Sequence, residues 1–114
     1  MSANPYDKAH ELARSILNHE TFKNYVQAKN NLEQKPDCRD KVLEFRNRQL
    51  AFNRAQITGG KIAEEEVRQL SVDFAKLNQE KDIAAFFDAE AKFIQMFNDI
   101  QEIIRQPLDR VLAK

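Results

Sequence analysis

"FFDAEAKFIQMFNDIQEII", residues 86–104, is the stretch whose reading decides the fold. Strict alternation of apolar and polar residues is absent, so a half-buried strand does not fit. At 100° per residue the apolar positions of the surrounding segment, 82–105, fall on one arc of roughly 200°. Ile83, Phe86, Phe87, Phe93, Ile94, Met96, Phe97, Ile100, Ile103 and Ile104 occupy it. A helix packed on one side needs a narrower stripe. Either this helix is the centre of the fold, or part of its face meets another chain. A chain of 114 residues has few ways to cover so wide an arc, which favours a homodimer. Phe86, Phe87, Phe93, Phe97, Ile100 and Ile104 are the residues expected to form that core or dimer face.

The rest of the chain supports the same fold class. Its length fits a single domain spanning 1–114, able to bury roughly two-thirds of its unfolded surface. Two Gly and three Pro leave long uninterrupted stretches of helix-forming residues. The breaks are Asn4-Pro5, Asn18-His19, Pro36-Asp37, Gly59-Gly60, the polar run 78–82 and Pro107, which is expected to close the last long helix. They predict helices over about 5–17, 20–34, 37–57, 62–78 and 82–105. The expected architecture is all-α: about five helices in an antiparallel bundle-like arrangement, the third and fifth long, forming a dimer. The fourth shows a seam of Val67, Leu70, Phe74 and Leu77 at coiled-coil spacing.

The third predicted helix carries two apolar stripes. Cys38, Val42, Phe45 and Phe52 form one, and Leu43, Leu50 and Ile57 the other. Two stripes imply two packing partners, and the row between them, Arg46, Gln49, Asn53 and Gln56, is expected to be a partly buried polar strip. Glu90 falls inside the apolar arc of the last helix, where an unpaired carboxylate would cost several kcal/mol or protonate. It is therefore expected to make a buried or half-buried polar contact with Arg46 or Gln49, within a chain or across the dimer, that fixes helix register.

Motifs for chemistry are absent. "AHELAR", 9–14, begins like a zinc-protease helix, but Arg14 stands where the second histidine is needed, and His19 lies beyond the helix end. His10 reads as a boundary residue on an amphipathic helix. "TGGK", 58–61, has neither the spacing nor the preceding strand of a phosphate loop and reads as a helix stop. Cys38 is the sole cysteine, which excludes an intrachain disulfide and fits a reducing compartment. It sits where a helix dipole lowers a thiol's pKa, beside Arg39, yet a small core-edge role suits it better than a reactive one. No catalytic, cofactor or metal residue is assigned.

Lys+Arg and Asp+Glu number 18 each, so no global field draws the chain to nucleic acid or membrane. Residues 1–60 carry 10 basic against 7 acidic side chains, and residues 61–114 carry 8 against 11, a weak polarity of +3 and −3. Arg39, Lys41, Arg46, Arg48 and Arg54 scatter around their helix instead of forming the single cationic face that phosphate tracking requires. No apolar run reaches the ~20 residues of a membrane span, and no basic-then-apolar leader opens the chain. A cytoplasmic location is expected.

The opening "NPYDKAHELARSIL", the stretch from Glu20 to Lys61, and "FFDAEAKFIQMFNDIQEII" together resemble the YlbF/YheA-like family of small bacterial proteins, of the UPF0342 type. The order and spacing of the short-helix pair, the Pro break, Phe45 to Gln49, the glycine turn and Ala89-Glu90 carry the likeness over nearly the whole chain. The resemblance implies a cytoplasmic, all-helical, self-associating protein of Gram-positive bacteria. Some such relatives are regulatory adaptors that affect competence, sporulation and biofilm formation through a complex linked to RNA processing. Some hold iron–sulfur clusters through several cysteines, and with Cys38 alone that cofactor does not carry over. The polar "NQEKD" at 78–82 departs from the Asn-Pro expected of relatives at that break. The leading expectation is thus a non-enzymatic interaction or adaptor protein with an unidentified protein partner; the alternative is an accessory factor associated with RNA processing or binding RNA directly.

Overall fold

The computed structural model describes residues 4–61 and 63–113. Five helices follow one another: α1 (Pro5–Asn18), α2 (Glu20–Glu33), α3 (Pro36–Ile57), α4 (Glu64–Leu77) and α5 (Lys81–Leu112). No strand occurs among the described residues. The all-α fold expected from periodicity is the fold adopted, with α3 and α5 the longest elements at 22 and 32 residues. Residue 62, expected to open the fourth helix, lies outside the described residues.

The punctuation acts through identifiable hydrogen bonds. Asn4 caps α1: its Oδ1 accepts from the Tyr6 N–H at 2.8 Å, and Pro5 sits at the first helical position. His19 ends α1 with an extended backbone, and its Nδ1 accepts from the Thr21 N–H at 3.1 Å as α2 begins. Gly59, at φ +76°, ends α3 in the left-handed region. The Gly60 N–H then donates to the Ala55 carbonyl at 2.8 Å and the Gly59 N–H to Gln56 at 3.3 Å, the paired bonds of a Schellman stop. Three glutamates, Glu64, Glu65 and Glu66, meet the positive end of the α4 dipole.

Pro107 does not close the last helix, contrary to expectation. α5 continues through it to Leu112. A proline removes one helical N–H and clashes with the carbonyl four residues back. Here that carbonyl belongs to Ile103, a residue 70% exposed, so the interruption falls on an open stretch of α5. Arg105 pairs with Glu102 before the proline and with Asp109 after it, at 3.6 Å, and bridges the interruption.

The chain divides into two compact units. One comprises the residues up to Gln27 and those from Asp88 onward: α1, the first part of α2, and most of α5. There Phe93 stacks on Tyr25 at 5.3 Å with rings 4° apart, and meets Phe22 at 5.3 Å. None of its described residues is buried. The other unit, Ala28–Phe87, holds the five hydrophobic residues that are buried among those described: Leu32, Val42, Phe45, Ile83 and Phe86. α3 packs against α4, and Phe74 lies between Phe45 at 5.9 Å and Phe87 at 5.3 Å. Leu70 and Leu77 of the predicted α4 seam are half-buried, while Val67 and Phe74 keep 45% and 43% exposure.

Ile83, with no exposed surface, is the most enclosed of these side chains. Ile83→Ala is expected to cost about 2–5 kcal/mol through lost transfer energy and a cavity. Ile57→Ala, at an 84% exposed position, should stay within about 0.5 kcal/mol. Urea denaturation of the two variants beside the parent measures both.

Candidate interaction surface

The residues that first suggest chemistry are spent on structure. His10 is exposed on α1, as are Glu11 and Arg14, and His19 is occupied in capping α2. No group of three or more His, Cys, Asp or Glu side chains converges to a metal site among the described residues. A hollow of about 360 Å³ between α3 and α4 is lined by Arg48, Phe52, Glu66, Gln69 and Leu70, among others. It contains one cation and one carboxylate, and no nucleophile with an adjacent base.

Cys38 behaves opposite to the dipole argument. Its Sγ–H donates to Glu80 Oε2 at 2.9 Å, and that bond, followed by burial and by the Glu80 charge, holds the thiol above its ordinary pKa. Arg39, next in the chain, turns its guanidinium to Asp40 at 3.3 Å, and the half-buried thiol fits the core-edge role expected of it. Glu80 also accepts from Lys41 Nζ at 2.6 Å, and the hydrogen bonds from Cys38 and then Lys41 hold its carboxyl below the usual range. Lys35 pairs with Asp82 close by. The polar run 78–82 is therefore more than a break, since two of its carboxylates clamp the first turns of α3 to the entry of α5. Sequence reading missed this because the partners lie 39 to 47 positions apart and no local spacing announces them.

Among the described residues, four of the five basic side chains of α3 are likewise engaged, Arg54 being the exposed exception. Arg48 reaches Asp73 of α4 at 2.6 Å, and this bond, with a second from Gln69, depresses the Asp73 carboxyl. Arg46 is half-buried, with its guanidinium 5.5 Å from the Phe86 ring centroid and 5.9 Å from that of Phe87, in cation–π range. The strip between the two α3 stripes is otherwise exposed, for Gln49, Asn53 and Gln56 all face water, so the expected partly buried polar row reduces to Arg46. Of the stripes themselves, Val42 and Phe45 are buried and Cys38 and Phe52 half-buried, whereas Leu43, Leu50 and Ile57 stand 52%, 54% and 84% exposed. Glu90 is half-buried on α5, within the unit that begins again at Asp88.

α5 shows the widest open apolar surface. Within its own unit Ala89, Phe93, Met96 and Ile100 share one half-buried face, and Phe93 carries the ring contacts to α2. A second face is left in water: Ile94, Phe97, Ile104, Leu108 and Val111 keep 42–69% exposure. Phe86 and Phe87, at the start of the same helix, are respectively buried and half-buried by their own chain. No helix is long and apolar enough to cross a membrane among the described residues.

These features define an all-α protein distinguished by an open apolar helix face. The chain belongs to the family described as "Control of competence regulator ComK, YlbF/YmcA", which its residues 6–109 match. UPF0342 proteins of Staphylococcus aureus strains JH9 and Newman are each 31% identical over 113 residues, covering 99% of both chains. The solved structure of a protein of unknown function (DUF964) from Bacillus stearothermophilus superposes with a TM-score of 0.82 over 93% of each chain, at 21% identity, and shares the fold. None of these descriptions names an enzyme.

The depressed carboxyls of Glu80 and Asp73 make stability depend on acid. Each contributes stability above the unfolded carboxylate pKa, about 4, and loses it as pH falls through the lower folded value. Thermal melts from pH 6 to pH 2.5 should show a shallower acid limb for Glu80→Gln and Asp73→Asn than for the parent. Parallel curves would contradict the assignment.

Proposed function

We propose that this chain is a non-enzymatic, self-associating helical protein that acts by protein–protein contact, as a regulatory adaptor. One observation carries the reading: the unit built from α1, the start of α2 and most of α5 has no buried residue among those described, while α5 keeps a row of large apolar side chains about half exposed. Apolar surface of that extent along one helix face, interrupted only by Gln101, marks an interaction site. The family description ties its members to control of a competence regulator, and we extend that setting to this chain. Direct RNA binding is disfavoured because Lys41 and Arg48 of α3 are paired with carboxylates and Arg46 lies over aromatic rings.

Self-association is read by light scattering at micromolar concentration. The expected mass is twice the 13.3 kDa of one chain. Ile104→Glu, which places a charge in the middle of the open row, should return a folded monomer with an unchanged helical circular-dichroism signal. A monomeric parent would overturn the proposal.

A further inference from the structure

Resting on that self-association, we infer that the open face of α5 pairs with α5 of a second copy, antiparallel, about a two-fold axis passing between Glu102 and Ile103. Ile94, Phe97, Gln101, Ile104, Leu108 and Val111 follow one another at spacings of 3-4-3-4-3, the a and d positions of a heptad seam. The five apolar members are the 42–69% exposed residues of the open face, and Gln101 between them is also exposed. Upstream on the same helix the apolar surface is already used, for Ile83 is fully buried by its own chain and Phe86 nearly so. The free seam therefore begins at Ile94 and ends at Val111.

The axis follows from that length. An antiparallel pair that covers the whole free seam must be centred on its midpoint, and this centre sets every a position opposite a d position. Ile94 then faces Val111 of the partner subunit, Phe97 faces Leu108 of the partner subunit, and Gln101 faces Ile104 of the partner subunit, each twice by symmetry. Beside the axis the two Gln101 side chains approach diagonally, about 4.5 Å apart along the helix direction. A glutamine amide both donates and accepts, so the two can satisfy each other across a two-fold. Parallel pairing would lay the occupied starts of the two α5 helices side by side. A slip of one heptad, centred on Asp99, would set Leu108 against the partner's Glu90 and Val111 against the partner's Phe87, which its own chain already half-covers. A slip of two, centred between Gln95 and Met96, would drive Leu108 against the partner's Ile83, which has no surface left to offer.

The area is adequate. Five side chains that each leave roughly 100 Å² uncovered give about 500 Å² per copy, and about 1,000 Å² for the pair, the lower bound of a specific interface. A second copy presents the same row in the reverse direction, and so fits it layer by layer.

Spin labels on the outer face of α5, one at a time in a Cys38→Ser background, read the axis directly by pulsed dipolar distance measurement. At 1.5 Å per residue the axial offset between label and symmetry mate is about 10 Å for Asp99→Cys, about 10 Å for Gln106→Cys and about 31 Å for Lys92→Cys. The expected result is two similar distances and a distinctly longer one for Lys92→Cys. Three similar distances would mean parallel helices, and either equal long distances at 92 and 106 with a short one at 99, or a long distance at 106 with a short one at 92, would mean a slipped register; each overturns the inference while leaving the dimer standing. A monomer in light scattering removes the self-association reading itself, and this inference with it. As a check on the central layer, Gln101→Glu should raise the dimer Kd about tenfold or more by setting like charges beside the axis, while Gln95→Glu on the outer face leaves it unchanged. An unaltered Kd for Gln101→Glu would place the axis elsewhere.

Discussion

The width of the apolar arc on α5 is the constraint from which the rest follows. A helix can be covered by its own chain only where other elements reach it, and this chain spends its buried residues at one end. Ile83 and Phe86 close a core with Leu32, Val42 and Phe45, all within Ala28–Phe87. Beyond Asp88 the same helix has Phe22, Tyr25 and its own flanking residues for cover, and no described residue there becomes fully buried. Hydrophobic burial scales with area removed from water, so the uncovered half of α5 is stabilisation that only a second surface can realise.

In the buried half, apolar packing and charge act on the same elements. Phe45, Phe74, Phe86 and Phe87 form a ring cluster, and Arg46 lies over two of its members. Around it Lys35–Asp82, Lys41–Glu80 and Arg48–Asp73 tie α3 to the entry of α5 and to α4. Exposed ion pairs contribute little individually. Their weight here lies in placing three contacts along one helix, which selects a single register for α3.

Much of this was legible in the sequence. Element type followed from 3.6-residue periodicity, and most helix ends from residues whose chemistry ends helices: Asn4-Pro5, Pro36 and Gly59. Pro107 misled because a proline's effect depends on where in the fold the interruption falls, and exposure at Ile103 is a tertiary fact. The two stripes of α3 were visible, but which one the chain would cover was not, since that depends on where α4 and α5 lie. Glu90, which its wheel position set inside the apolar arc, is half-buried on α5. The Cys38–Glu80–Lys41 cluster had no local signature, because carboxylate and thiol come from helix entries about forty residues apart. Family membership could be read from the order of weak signals, each unspecific alone.

The bond from Cys38 to Glu80 also bears on how the chain withstands oxidants. Peroxides and disulfides are attacked by thiolate, and sulfur that keeps its proton reacts slowly with both. A carboxylate 2.9 Å away holds that proton in place. The sole sulfhydryl is thereby held in its protonated, less nucleophilic form, which slows its oxidation to sulfenic acid.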